Sequence, residues 1–180
     1  MVDASSAPEG ASEPLAPQDA VGRFLLAWSR LSALGGVALL LAVCVLSTWS
    51  VLGRALFDSP VLGDVEMVQV ACSLAIAAFL PYAQMKGAHV IVDFFTLRAG
   101  PRLRAWLDTA AALLLALAAA WLAWRSAMGA WDTYATGETS MILGWPLWWA
   151  HLTIAPGFGL LALTALYTAW VQLGNARRRR

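Results

Sequence analysis

Polar and apolar positions along this chain fall into long blocks rather than alternating or recurring at short period. Residues 31–53 contain no Asp, Glu, Lys or Arg in 23 positions, and residues 67–85 contain none in 19. Residues 105–124 are interrupted only by Asp108, and residues 139–176 run for 38 positions without a formal charge. About 20 apolar residues cross the roughly 30 Å of hydrocarbon in a bilayer. The first three blocks each fit one crossing, whereas the fourth as one straight helix would be about 57 Å long. Part of it must therefore lie outside the hydrocarbon. We place an interfacial approach over residues 140–149 and the crossing over residues 148–173, with a kink expected near Pro156. The expected fold is an all-α integral membrane protein with four transmembrane helices, because backbone polar groups in lipid must be satisfied within their own segment.

The flanks are read by composition and charge. Residues 1–22, rich in Ala, Ser, Pro and acidic side chains, lack the basic start and apolar stretch of a secretory signal; an uncleaved, disordered tail is expected. Residues 23–174 form the membrane domain and residues 175–180 a basic tail. In residues 89–98, His89, Asp93 and Thr96 recur at helical spacing beside Val90, Phe94 and Leu97. That pattern predicts an interfacial helix between spans two and three, ended by Gly100 and Pro101. Ten of the twelve basic residues (Arg23, Arg30, Lys86, Arg98, Arg102, Arg104 and Arg177 to Arg180) fall on one side of this map, and only Arg54 and Arg125 on the other. Cytoplasmic loops carry the excess of Lys and Arg, so both termini are expected in the cytoplasm, N-in and C-in.

Composition narrows the class. The chain is 60% apolar and 13% charged, against the usual 45–50% and about 25%. These values exclude a disordered chain, a disulfide scaffold and a nucleic-acid binder. The ten tryptophans cluster near the expected span ends, three inner and seven outer, as indoles at the headgroup level of a lipid membrane should. Two histidines, His89 and His151, fall at opposite ends of the map and cannot share a haem. Cys44 and Cys72 lack the spacing of a redox pair and are read as buried apolar thiols. No catalytic, metal or cofactor set can be assembled, so no cofactor is expected and the chain is not read as an enzyme.

The ionisable and polar residues near the spans are subunit-contact or structural candidates, being costly in lipid. Arg54 closes span one and Glu66 opens span two; they can pair, meet a partner, or snorkel to headgroups. Glu66, Gln69, Ser73 and Gln84 fall within about 60° of one face of span two. That face suits either a contact inside the bundle or one to another subunit. Arg125, between Trp124 and Ser126, reads as an anchor stacked on an indole. Asp108 is expected to pair with Arg104 or Arg102.

Several of these residues together resemble the small, DctQ-type membrane subunit of tripartite ATP-independent periplasmic (TRAP) transporters. The resemblance rests on Arg54 with Phe57 closing span one, then Pro60 and Glu66 opening span two. It continues with Gly87, His89 and Asp93 after span two, Pro146 and Trp148 before span four, and the pair Pro156 and Gly157. It covers roughly residues 31–173. The resemblance implies an accessory subunit in a bacterial inner membrane, scaffolding a large permease subunit that holds the substrate and cation sites. A periplasmic substrate-binding protein would deliver an organic acid for cation-coupled uptake, with sodium as the expected ion. The alternative from another class is a self-sufficient small four-helix transporter acting as a homodimer. It would need its own coupling carboxylate, for which only Glu66 and Asp108 come near.

Overall fold

The computed structural model describes residues 19–59, 61–87 and 101–178. Among the described residues there are four helices: α1 (Ala20–Phe57), α2 (Asp64–Met85), α3 (Pro101–Thr136) and α4 (Trp148–Arg178). All four are long and apolar enough to cross a membrane. The expected interfacial segment, with His89 and Asp93, lies outside the described residues, as do Pro60 and the first eighteen residues.

Two helices are longer than their charge-free blocks. Helix α1 has 38 residues and α3 has 36, about 57 and 54 Å at 1.5 Å per residue. Charge ends an apolar block but does not end a helix, and no proline interrupts 20–57 or 102–136. Helix α1 stops where Asp58 turns into the left-handed region (φ 51°) and Ser59 N–H reaches back to the Gly53 carbonyl, 3.3 Å. Helix α4 remains helical through Pro156. The approach before it is a tight hairpin. Thr139 pairs with Pro146, Ser140 N–H donates to Trp145 O (2.8 Å), and Leu147 N–H donates to Glu138 O (3.1 Å).

The helices pack as a row, in the order α1, α2, α4, α3, with α1 touching α4 only slightly. The contacts are built from small side chains. Ala71, Ala75 and Ala77 of α2, Ala112, Ala116, Ala119 and Ala130 of α3, and Ala165 and Ala169 of α4 are buried. Buried threonines solve their own polarity within the helix: Thr164 donates to Leu161 O (2.9 Å), Thr168 to Thr164 O (2.8 Å) and Thr133 to Gly129 O (2.8 Å). Small residues let backbones approach where hydrophobicity gives no preference for protein over lipid. Cys44, expected to be buried, is exposed on α1, while Val43, Leu46 and Ser47 close to it are half-buried.

Candidate functional site

Two constellations tie α2 to its neighbours, one at the level of Glu66 and one in the C-terminal half of α2. At the first, the Glu66 carboxylate accepts from Ser140 Oγ, from Ile142 N–H (3.0 Å) and from Leu143 N–H (3.3 Å). Ser140 Oγ also accepts from Leu143 N–H, 3.3 Å. A carboxylate in the first turn of a helix meets two N–H groups that have no backbone carbonyl partner among the described residues, and it clasps the 138–147 hairpin onto the start of α2. Gly63 makes room for this clasp. Its φ of +76° lies in the left-handed region, and a Cβ there would sit 2.4 Å from Leu143 Cγ.

Beside the clasp, Ser50 Oγ donates to Asp64 Oδ2 at 2.6 Å, and Asp64 Oδ1 accepts from Val65 N–H at 2.8 Å. This tie joins α1 to α2. Among the described residues no ion pair joins Arg54 to Glu66. Arg54 is exposed in the last turn of α1, where its charge complements the carbonyl end of the helix.

The second constellation centres on Pro81. Lacking an N–H, Pro81 leaves the Ala77 carbonyl without its helical donor. The backbone of Gly157 in α4 sits directly against that carbonyl, and a Cβ on Gly157 would meet Ala77 O at 2.9 Å. From the other flank, Ser32 Oγ of α1 donates to Ala78 O at 3.1 Å. Gly36 packs on Ala78 and on the Phe79 ring, 3.1 Å from where its Cβ would stand. Three helices therefore meet at Ala77 and Ala78. A proline in α2 and two glycines in its neighbours are what permit it.

The polar stripe of α2 divides in this setting. Glu66 is half-buried under the hairpin, whereas Gln69 and Ser73 are exposed. Ser73 Oγ is satisfied by Gln69 O, 2.8 Å. The Gln69 amide faces outward and has no hydrogen-bond partner among the described residues. Gln84 is buried, 4% exposed, and its Oε1 has no donor among the described residues. Arg125 is exposed on α3 and does not stack; the cation–π contact among the described residues is Lys86 over Tyr82, 5.8 Å. Pro156 is exposed on α4, beside Gly157. His151 packs over Gly129, joining α4 to α3, and Tyr134 meets Trp148 edge-on at 5.9 Å.

Sequence reasoning missed the partner of Glu66, the Ser50–Asp64 tie and the role of Pro81. The first was signalled by an uncharged Ser140–Gly144 turn rich in backbone donors. The last was signalled by a proline within the second charge-free block and a Pro–Gly pair in another span. The Ser50–Asp64 tie spans only fourteen residues across one turn, with an acidic residue where a helix starts.

The fold and these sites define a multi-pass membrane protein whose polar residues build contacts between elements. The model of the DctQ component of tripartite ATP-independent periplasmic transporters matches residues 43–175, and the chain belongs to that family. It is therefore the small membrane subunit of a TRAP transporter, a transport component and not an enzyme. No curated protein and no solved structure matches the chain.

Proposed function

We propose that the chain braces a large permease subunit in a bacterial inner membrane, with both termini in the cytoplasm. The permease takes up an organic acid with a coupling cation, sodium in the simplest case, and a periplasmic binding protein delivers the substrate. The ten-to-two distribution of Lys and Arg supports the orientation. Family membership supports the partners.

The observation that carries the bracing role is Gln69. Its amide lies on α2 one turn from Glu66, exposed and unpaired among the described residues. An amide facing lipid is costly, and an amide facing another subunit supplies a directed contact. Glu66 favours the same reading over the self-sufficient homodimer. Its carboxylate is held by three donors of the hairpin, so it builds structure instead of waiting for a coupling ion.

The test is purification of the tagged chain from its native membrane in mild detergent, with mass spectrometry of what accompanies it. A large permease in equal amount is the expected result. The chain alone, as a homo-oligomer that transports in liposomes, would replace this reading with the small-transporter one.

A further inference from the structure

In residue order Arg125 ends the third apolar block, which sets it at an outer span end together with Trp121 and Trp124. The packing of the helices sets all three elsewhere. Gly129 of α3 lies against His151 of α4, and Tyr134 meets Trp148, so α3 and α4 run antiparallel in a known register. Arg125, one turn before Gly129, is therefore level with Ala155. Gly157 of α4 packs on Ala77 of α2, and Ala150 and Val70 line one cavity, so α4 and α2 run parallel. Arg125 thus stands level with Ala75, the middle of the 22-residue helix α2. By the same register Trp124 and Trp121 lie level with Ile76 and Phe79.

That level is the centre of the bilayer. Helix α2 is about 33 Å long, close to the roughly 30 Å of hydrocarbon, and it is bounded by Asp64 and Glu66 at one end and Lys86 at the other. From Ala75 to the Glu66 level is about 14 Å, and to the Lys86 level about 17 Å. Neither is within the snorkelling reach of an arginine, and side chains of α3 lean toward its N-terminus, away from the nearer boundary. Arg125 is exposed and has no hydrogen bond or ion pair among the described residues. Trp121 and Trp124 beside it are 68% and 64% exposed, at a depth where indoles find no headgroups. Helix α3 ends the row, so no other described helix covers this face. A cation inside a membrane is costly unless it meets protein or water, and an opposite charge answers it best.

Charge and depth together select the occupant. Lipid phosphates lie at the boundaries, out of reach. Among the described residues the nearest carboxylate by register is Asp132, about 10 Å further along α3, and a second copy repeats these depths and brings none to the centre. We propose that the exposed face of α3 around Arg125 and Trp121 docks a transmembrane helix of the large permease, which presents a carboxylate to Arg125 at the middle of the bilayer. The contact rests on the accessory-subunit reading and assigns it a face and a charge.

The test has two arms. Depth is read on the full chain in phospholipid vesicles, with Cys44→Ala and Cys72→Ala and a spin label on Ala127→Cys, an exposed neighbour of Arg125. Its ratio of oxygen to nickel-chelate accessibility should equal that of a label at Ile76 and exceed severalfold that at Leu62, beyond the start of α2. A ratio like that at Leu62 would return Arg125 to the outer rim and overturn the proposal. Docking is read by co-purification of the permease from the native membrane. Arg125→Leu, which favours insertion of α3, should lower permease recovery at least tenfold, and Arg125→Lys should restore most of it. A photocrosslinker at Trp121 should join a spanning segment of the permease that contains Asp or Glu. Recovery by Arg125→Leu equal to wild type, or crosslinks to lipid or to a second copy, would remove this contact and leave the accessory-subunit reading standing. A wild-type chain that brings no permease would remove both.

Discussion

Helices α1 and α4 make an instructive pair. Helix α1 is the more apolar, yet 6% of its best membrane-crossing stretch is buried within the chain against 28% for α4. The difference lies in side-chain size. Helix α4 brings Gly157, Thr164, Ala165, Thr168 and Ala169 to its neighbours. Helix α1 turns Phe24, Trp28, Leu31, Leu41, Val45 and Trp49 outward and touches α2 through Ser32, Gly36 and Ser50. Lipid tails are as apolar as leucine, so hydrophobicity inserts a helix without choosing its neighbours, and close backbone approach chooses them. Helix α4 is the keystone of the row and α1 a loosely pinned flank.

The comparison can be broken most sharply at Gly157. Gly157→Leu places a side chain against the Ala77 carbonyl and should destabilise the α2–α4 contact by about 3 kcal/mol, the upper range for overpacking. Unfolding of the purified chain in mixed micelles on titration with SDS measures it; a neutral result would remove α4 from the centre of the fold. Glu66→Leu comes next. It leaves helix insertion intact but frees the hairpin, so amide exchange at Ile142 and Leu143 should accelerate by about tenfold or more while the helices stay protected.

Gly36→Leu tests the flank itself. Only the edge of the Phe79 ring and the Ala78 methyl obstruct it, so the cost should be about 1–2 kcal/mol and confined to the α1–α2 contact. Spin labels on Leu41 and Ile76, both exposed, should then report a broadened α1–α2 distance distribution. Ser50→Ala removes the tie at the Asp64 level and should broaden the distance between labels at Leu52 and Val65 without moving the SDS midpoint. Smallest of all is Gly35→Leu. Nothing lies within 4 Å of its Cβ position, so stability should change by no more than about 0.5 kcal/mol. A large loss there would show that α1 is held on a face other than the one the row displays.

Much of the fold is legible in the residues taken in order. The four crossings appear as blocks with at most one charge because burying an ion in hydrocarbon is costly wherever the helix packs. The order of the motifs around Arg54, Glu66, Pro146 and Pro156 already carries the family resemblance. The ends of the helices are less legible. Charge ends an apolar block, and α1 and α3 carry on beyond that point because nothing in 20–30 or 125–136 breaks a helix. The candidate site is legible in its members but not in its pairings. Glu66 stood out as a carboxylate at a span end, and Arg54 was among its possible partners. The hairpin donors that hold it come from 74 to 77 residues away.

Composition and block length thus determined that this chain enters a membrane and how many helices it offers to cross it. Those outcomes depend on transfer energies that sum along a segment irrespective of its neighbours. The tertiary structure alone decided that the helices form a row with α4 at its heart, that Glu66 clasps a hairpin, and that Arg125 stands level with the middle of α2. Those depend on which backbones can approach within contact distance, a property of pairs of surfaces that no single segment contains.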